Sequence, residues 1–410
     1  MPERPKAPRG TFDILPADAE SRARLHELAA GTFGAAGYGR IETPAFEQTD
    51  LFARAVGEAT DIVTKEMFSF HDQGGRELTL RPEGTAPICR AYVEHGMHKL
   101  PQPVKLWYSG AYFRHERPQA GRFRQFHQIG VEAIGTDDPM ADAETIILLD
   151  QLLRSFEVPG VTLRVGSLGT VSSRAAYREE LRDYLRAHQA ELSPEVRERI
   201  EQNPLRAFDS DHDGTRAVMA QAPQMIDRLD DADAEHLAAV ERLLRESGVE
   251  FERDGSLVRG LDYYTRTVFE FTSDALGAQS ALGGGGRYDG LIDELGGPPT
   301  AAVGWAAGVE RILLAVAAEP PEPTADVYVA ADGDAERERA FALVTELRRA
   351  GMVAHLDLAR RSIKGQVKQA DRAGARHAVL IEADGASVRD MSSGEQTGLD
   401  LAHAVEVLSS

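Results

Sequence analysis

Residues Leu106 to Gly135, LWYSGAYFRHERPQAGRFRQFHQIGVEAIG, hold two runs rich in aromatic and β-branched residues around a basic segment. That arrangement predicts two antiparallel strands joined by a long loop that turns at Gly121. Side chains alternate along a strand, so parity sorts the residues into faces. Tyr108, Gly110, Tyr112, Arg114 and Glu116 share one face of the first strand, opposite Trp107, Ala111 and Phe113. Phe126, Gln128, Gly130 and Glu132 share one face of the second, opposite His127, Ile129, Val131 and Ala133. Each strand therefore has an apolar face and a face that mixes charge, amide, aromatic ring and glycine. A solvated face seldom combines glycines with aromatics, so the mixed face reads as the floor of a polar pocket. The plainer alternative is an amphipathic hairpin with a basic tip.

At 410 residues and 42% hydrophobic, the chain can build two or three domains with real cores. A net charge of −20 argues against a general nucleic-acid coat, while leaving room for a local basic surface. Cys89 is the single cysteine, which excludes a disulfide framework and a cysteine zinc site and suits a core filler. MPERPKAPRG has no apolar signal region, and no run is long enough to span a bilayer, so a soluble cytoplasmic protein is expected.

In chain order, PRGTFDILP reads as an extended arm, and Leu25, Leu28, Ala29, Phe33 and Ala36 recur at helical spacing over Asp18 to Ala36. A short strand, YGRIE, follows Gly37. Glu66 to Leu80 predicts a hairpin around Gln73-Gly74-Gly75, and RPEGT opens a helix through ICRAYVEHG. Glu83 there fits a first-turn carboxylate favoured by the helix dipole as well as a ligand contact. Ser172 to Ser247 is charged and helical, with breaks at Asn203-Pro204 and Asp211 to Gly214, and carries no catalytic pattern. Strand character is expected again over Leu257 to Phe271, LVRGLDYYTRTVFEF. A buried arginine rarely lacks a partner, so Arg259 beside Tyr263 and Tyr264 points to a cavity. ALGGGGRYDGL lets backbone approach a ligand closely but matches neither GxGxxG nor a P-loop. Gly304, Gly308 and Arg311 in GWAAGVERILL are expected on one helix face. The proline-rich stretch 319–324 reads as a stiff linker, followed by alternating strands and helices that predict an α/β unit.

FRHE, RPEGT, RGLDYY with TVFE, GGGGRYDGL and GVERILL occur in the order seen in class II aminoacyl-tRNA synthetases, and the chain resembles the histidyl-tRNA synthetase family. The helix and strand before Pro44 resemble the motif that builds that family's dimer interface. The resemblance implies an α+β catalytic domain on an antiparallel sheet over residues 1–318, with a helical insertion at about 172–247. It also implies a linker at 319–324 and an α/β anticodon-binding domain at 325–410. It implies ATP and Mg2+, with the metal carried by the nucleotide and no metal site of the protein's own. The histidine tRNA and a homodimeric partner complete the set.

By the same resemblance, Arg114 and Arg259 hold the α-phosphate, Phe126 stacks on adenine, and Glu116, Arg122 and Arg311 complete the ATP site. Glu83, Thr85, Gln128, Glu132, Tyr263 and Tyr264 take the histidine. Arg117, Gln119 and Arg124 in the hairpin loop face the tRNA acceptor end, and Arg361, Lys364 and Lys368 its anticodon arm. A solvated helix face is the alternative for the last three, and the segment after HAVLIEA departs from the family pattern. The insertion would serve as a lid or as a clamp on the acceptor stem. The rival is a synthetase-like regulatory subunit of histidine biosynthesis, which would lack both the C-terminal domain and the ATP-site arginines.

Overall fold

The hairpin dominates the computed structural model, which describes residues 4–57, 60, 62–119, 121–258, 261, 263–316 and 325–409. Strands Val104–Phe113 and Gln125–Ile134 run antiparallel, with Tyr108 opposite Gly130, Gly110 opposite Gln128 and Tyr112 opposite Phe126. Parity holds along both. Trp107, Ile129, Val131 and Ala133 enter a core with Phe33 of helix Pro16–Ala35 and Leu149 of helix Pro139–Ser155. Tyr108 and Tyr112 enter a second core with Ile88, Cys89, Tyr92, Tyr264 and Tyr288 on the other side of the sheet. One side is almost wholly apolar and the other rich in tyrosine hydroxyls, which is where polar chemistry can be housed.

The sheet has eight strands, in the order Gly39–Arg40, Val104–Phe113, Gln125–Ile134, Ala302–Gly308, Ala281–Arg287, Thr265–Ser273, Val161–Ser167, Glu252–Arg253. The inner pairings are antiparallel; only the two-residue strands at the edges pair in parallel. Such short edges offer little to a foreign strand. A three-stranded sheet, Phe46–Gln48, Glu77–Leu80 and Phe68–His71, contains the predicted second hairpin and leads into helix Thr85–Glu94.

Two sequence expectations change. Gly304 and Gly308 lie in a strand, Ala302–Gly308, and the helix begins only at Val309. The reason is a neighbour: Gly304 pairs with Glu132, and a Cβ there would sit 1.8 Å from a Glu132 carboxylate oxygen. Only a glycine strand fits beside that buried side chain, and Val303, Trp305 and Ala307 supply the two-residue period on the core side. Secondly, the strand expected from Leu257 starts at Thr265, leaving Tyr263 and Tyr264 on the irregular segment before it. Arg259 and Asp262 lie outside the described residues.

The charged stretch forms helices Val171–Ala187, Pro194–Arg199, Asp213–Met219 and Asp231–Glu246. Tyr177, Leu181, Leu185, Val196 and Val218 close a small core of their own. The last helix instead buries Leu237, Val240 and Leu244 in the main core.

The chain divides into two compact units, Met1–Ala317 and Ala318–Ser410, and the linker 319–324 lies outside the described residues. The second unit pairs Ala354–Leu356, Ala325–Ala331 and Ala375–Glu382 in parallel, with helices Asp334–Arg349 and Ile363–Arg372. After Glu382 the sheet continues antiparallel through two further strands, Gly385–Asp390 and Gln396–Gly398, beyond the expected alternation. Their residues, GASVRD and QTG, are polar and carry little of the apolar alternation that marks a strand.

Candidate active site

The mixed face of the hairpin forms the floor of a cleft of about 410 Å³. Glu83, Thr85, Arg114, Glu116, Arg122, Phe126, Gln128, Tyr263, Tyr264 and Arg311 all line it, although they are spread over more than two hundred residues of sequence. The sheet register does this work. Phe126 and Gln128 come up from one hairpin strand, Arg114 extends the other, and Ala306 and Gly308 are the next strand's contribution.

One end of the cleft is cationic and aromatic. The Arg114 guanidinium lies 5.5 Å from the Phe126 ring centroid, and its Nε donates to the Pro82 carbonyl at 2.9 Å, which fixes the fork in place. Arg122 pairs with Glu116 at 2.5 Å. Arg311 donates to the carbonyls of Gly121 at 3.1 Å and Ala281 at 2.8 Å, so it bridges the hairpin loop and the glycine strand. Burial, with Arg122 nearby, lowers the Arg311 pKa from its usual value. Anionic oxygens placed among these three arginines would relieve that repulsion, and a guanidinium fork matches phosphate geometry.

The other end is acidic and hydroxylic. Glu83 accepts from the backbone N–H groups of Thr85 at 2.7 Å and Ala86 at 2.9 Å, so it caps helix Thr85–Glu94 as the dipole argument expects while still facing the cleft. Burial raises its pKa. Glu132 is absent from the cleft lining and fully buried one layer below. There it accepts from Thr85 Oγ1 at 2.9 Å, Tyr108 Oη at 3.3 Å and Tyr288 Oη at 2.5 Å. Burial pushes its pKa up to about 8, against the pull of these hydroxyls. Gln128 keeps a buried Oε1 with no hydrogen-bond partner, a group that a ligand's donor would satisfy.

Tyr263 and Tyr264 close this end as a tilted pair, ring centroids 4.7 Å apart. Tyr108, Tyr288, Glu270 and Glu310 were not singled out in the sequence. Tyr108 was at least placed on the pocket face by parity. Glu310 accepts from Arg22 Nη2 at 2.8 Å and from the His127 N–H at 2.9 Å, partners too distant in sequence to leave a local signal.

The loop residues sit at the rim. Arg117 and Gln119 are exposed, and Gln119 exchanges backbone bonds with Arg122. The Arg124 N–H donates to the Gly10 carbonyl at 2.8 Å, and Phe12 packs on Phe123 at 4.6 Å, so the N-terminal arm clasps this loop. In the second unit Arg361 pairs with the buried Asp357 at 2.8 Å, while Lys364 and Lys368 are exposed on their helix. No group of three or more acidic, histidine or cysteine side chains able to hold a metal occurs among the described residues. Nor is any helix among them long and apolar enough to cross a membrane.

Comparison with known proteins follows the same division. Residues 10–312 match the family model described as histidyl-tRNA synthetase, and residues 326–410 match that of an anticodon binding domain. A histidine–tRNA ligase of Rubrobacter xylanophilus is 47% identical over 95% of this chain and 96% of its own length. One from Streptomyces avermitilis is 47% identical over 98% of both. The crystal structure of the apo histidyl-tRNA synthetase of S. aureus superposes with a TM-score of 0.82 at 35% identity, covering 99% of this chain and 100% of that one. With its cleft, its sheet and both its units accounted for by these matches, the chain belongs to the histidyl-tRNA synthetase family.

Proposed function

We propose that the chain is an ATP-dependent histidine–tRNA ligase, and that the cleft carries out both of its steps. The observation that carries the reading is the Arg114–Phe126 pair. It sets a phosphate-binding fork beside a ring on which a base can stack, with a buried polar pocket a few residues away. The histidine carboxylate attacks the α-phosphorus of ATP, pyrophosphate leaves, and a ribose hydroxyl of the tRNA then takes the histidyl group from the adenylate. No protein nucleophile is required, so the protein contributes position and charge.

Arg114, and Arg259 by its place in RGLDYY, stabilise the charge that gathers on the α-phosphate. Phe126 stacks on adenine, with Arg122 and Arg311 toward the outer phosphates and Glu116 orienting Arg122. Glu83 and Gln128 orient the amino acid, and Tyr263 and Tyr264 wall it in. Glu132 acts on the imidazole from below, its position set by the Thr85, Tyr108 and Tyr288 hydroxyls. A site built to hydrogen-bond both ring nitrogens rejects apolar competitors, because its own buried groups would be left unpaired.

Mg2+ binds typically through substrate phosphates and one or two carboxylates. It would come with the nucleotide, and the cleft-wall carboxylates that would hold it, Glu116 and Glu270, would exchange their pairing with Arg122 and Arg164 for the ion. When bound, the ion neutralises phosphate charge. Arg117, Gln119 and Arg124 meet the acceptor end, and Arg361, Lys364 and Lys368 the anticodon arm. The domains are those of residues 1–318 and 325–410, acting in the cytoplasm as a homodimer. Phe46 and Phe70, exposed and packed edge to face at 6.2 Å, give the small sheet an apolar face suited to a second copy.

The test is ATP–pyrophosphate exchange with each of the twenty amino acids in turn. Exchange driven by histidine is expected, and exchange with none would return the chain to the regulatory-subunit reading. Against that reading stand the three cleft arginines and the second compact unit.

A further inference from the structure

The helical insertion joins the sheet at two places, and both converge on one carboxylate. Asp233, in the first turn of helix Asp231–Glu246, is 1% exposed. It accepts from the Thr170 N–H at 2.8 Å, from Ser173 Oγ at 2.8 Å and from Arg266 Nε at 2.9 Å. Thr170 and Ser173 stand at the start of the insertion's first helix. Arg266 stands two residues beyond Tyr264 and has φ +45°, a left-handed conformation that a residue with a Cβ keeps only when its surroundings hold it. Its N–H donates to Gly169 and its carbonyl accepts from Leu168, both at 2.8 Å, so the base of the insertion holds its backbone and its side chain together.

From that junction Arg174, one turn into the same helix, sends Nη2 to the Tyr264 carbonyl at 2.6 Å. Tyr264 lines the cleft. The insertion's apolar core around Tyr177, Leu181 and Leu185 is separate from this polar junction. At the first helix, directional hydrogen bonds to particular atoms carry the connection, beside the packing of helix Asp231–Glu246 in the main core, and they weaken steeply when donor and acceptor turn away from each other. A tilt of the insertion's first helix therefore moves the donor of the Tyr264 carbonyl.

We propose that Arg174 is a positioning residue for the amino-acid end of the cleft. Standing on a helix whose first turn is held by Asp233, it ties the orientation of the helical insertion to the placement of the Tyr263–Tyr264 pair. Whatever grips the insertion then changes histidine affinity, and histidine changes the grip by the same factor. This rests on the assignment of the Tyr264 end of the cleft to histidine.

Full-length Arg174→Ala, Arg174→Lys and Asp233→Asn test it in histidine-dependent pyrophosphate exchange, with KM measured separately for histidine and ATP and with thermal unfolding alongside. Loss of one charge-assisted hydrogen bond predicts a histidine KM about tenfold higher for Arg174→Ala. The ATP KM and the unfolding temperature should be unchanged. Arg174→Lys should recover much of the loss, since an ammonium also donates to a carbonyl, and Asp233→Asn should shift the histidine KM in the same direction as Arg174→Ala. A folded Arg174→Ala protein with unchanged histidine KM, or with both KM values raised together, overturns the proposal. Wild-type protein that exchanges with no amino acid overturns the functional assignment beneath it instead.

Discussion

Tyr288 Oη lies 2.5 Å from Glu132 Oε2, although the two are 156 residues apart in the sequence. This bond holds a fully buried carboxylate beneath the cleft. Burial is why its pKa stands near 8. The protein therefore folds around a carboxyl that prefers to keep its proton.

The sign of the consequence follows from linkage. A carboxyl with a raised native pKa binds protons more tightly when folded than when unfolded. Its contribution is complete below its ordinary value of 4.5 and lost as pH rises toward about 8. Wild-type stability should fall across that window by more than that of Glu132→Gln, which has no proton to lose. Urea midpoints at several pH values compare the two slopes, and equal slopes would remove Glu132 as their source. In exchange assays Glu132→Gln should weaken histidine activation and leave the ATP KM near normal.

Arg114→Ala should lower kcat/KM for ATP in the exchange reaction by about a hundredfold or more, as expected when a preorganised donor to developing charge is removed. Arg114→Lys should recover little, because an ammonium cannot reproduce a fork held between Phe126 and the Pro82 carbonyl. Near-normal turnover of the lysine variant would show that charge alone is needed.

Gly10 has φ +85°, and a Cβ on it would lie 2.8 Å from Arg124 Cγ. Gly10→Ala should therefore loosen the arm from the hairpin loop and raise the ATP KM, since Arg122 and Phe123 of that loop line the cleft. Trypsin should also cut faster at Arg122 or Arg124. Cleavage at the wild-type rate would mean that the arm does not hold the loop.

Arg287 and Asp142 form a fully buried ion pair, with Arg287 also donating to the Thr136 carbonyl at 2.9 Å. Burial opposes the charge on Asp142, but the bond from His236 and the charge of Arg287 hold its pKa below the usual value. Removing one partner of such a pair typically costs ~3–5 kcal/mol, so Asp142→Asn should unfold well below the wild-type temperature. A shift too small to resolve in a thermal scan would contradict this.

Cutting the chain between Pro320 and Pro321 should separate activation from charging. The cleft residues all precede the cut, so the fragment should still exchange pyrophosphate. Lys364 and Lys368 follow it, and phosphate contacts release counterions, so tRNA affinity should fall more steeply with salt for the whole chain than for the fragment. Parallel salt slopes would assign those lysines to a solvated helix face.

The hairpin and the faces of its strands were legible in the sequence because strand parity is a local rule: Tyr108 and Gln128 could be assigned to the pocket face from spacing alone. The second hairpin, the helix after RPEGT and the alternation of the last domain follow from equally local signals. The two added strands after Glu382 and the strand state of Gly304 were not legible, since each is fixed by a neighbour in space. Gly304 is in a strand because Glu132 occupies the place where its side chain would be. Sequence, by its periodicity and motif order, determined which residues can reach one cleft. Tertiary packing decided their depth: Glu132 became a buried, proton-holding group below the floor, and Arg174 came to bond Tyr264, because burial and long-range pairing depend on what lies across the sheet.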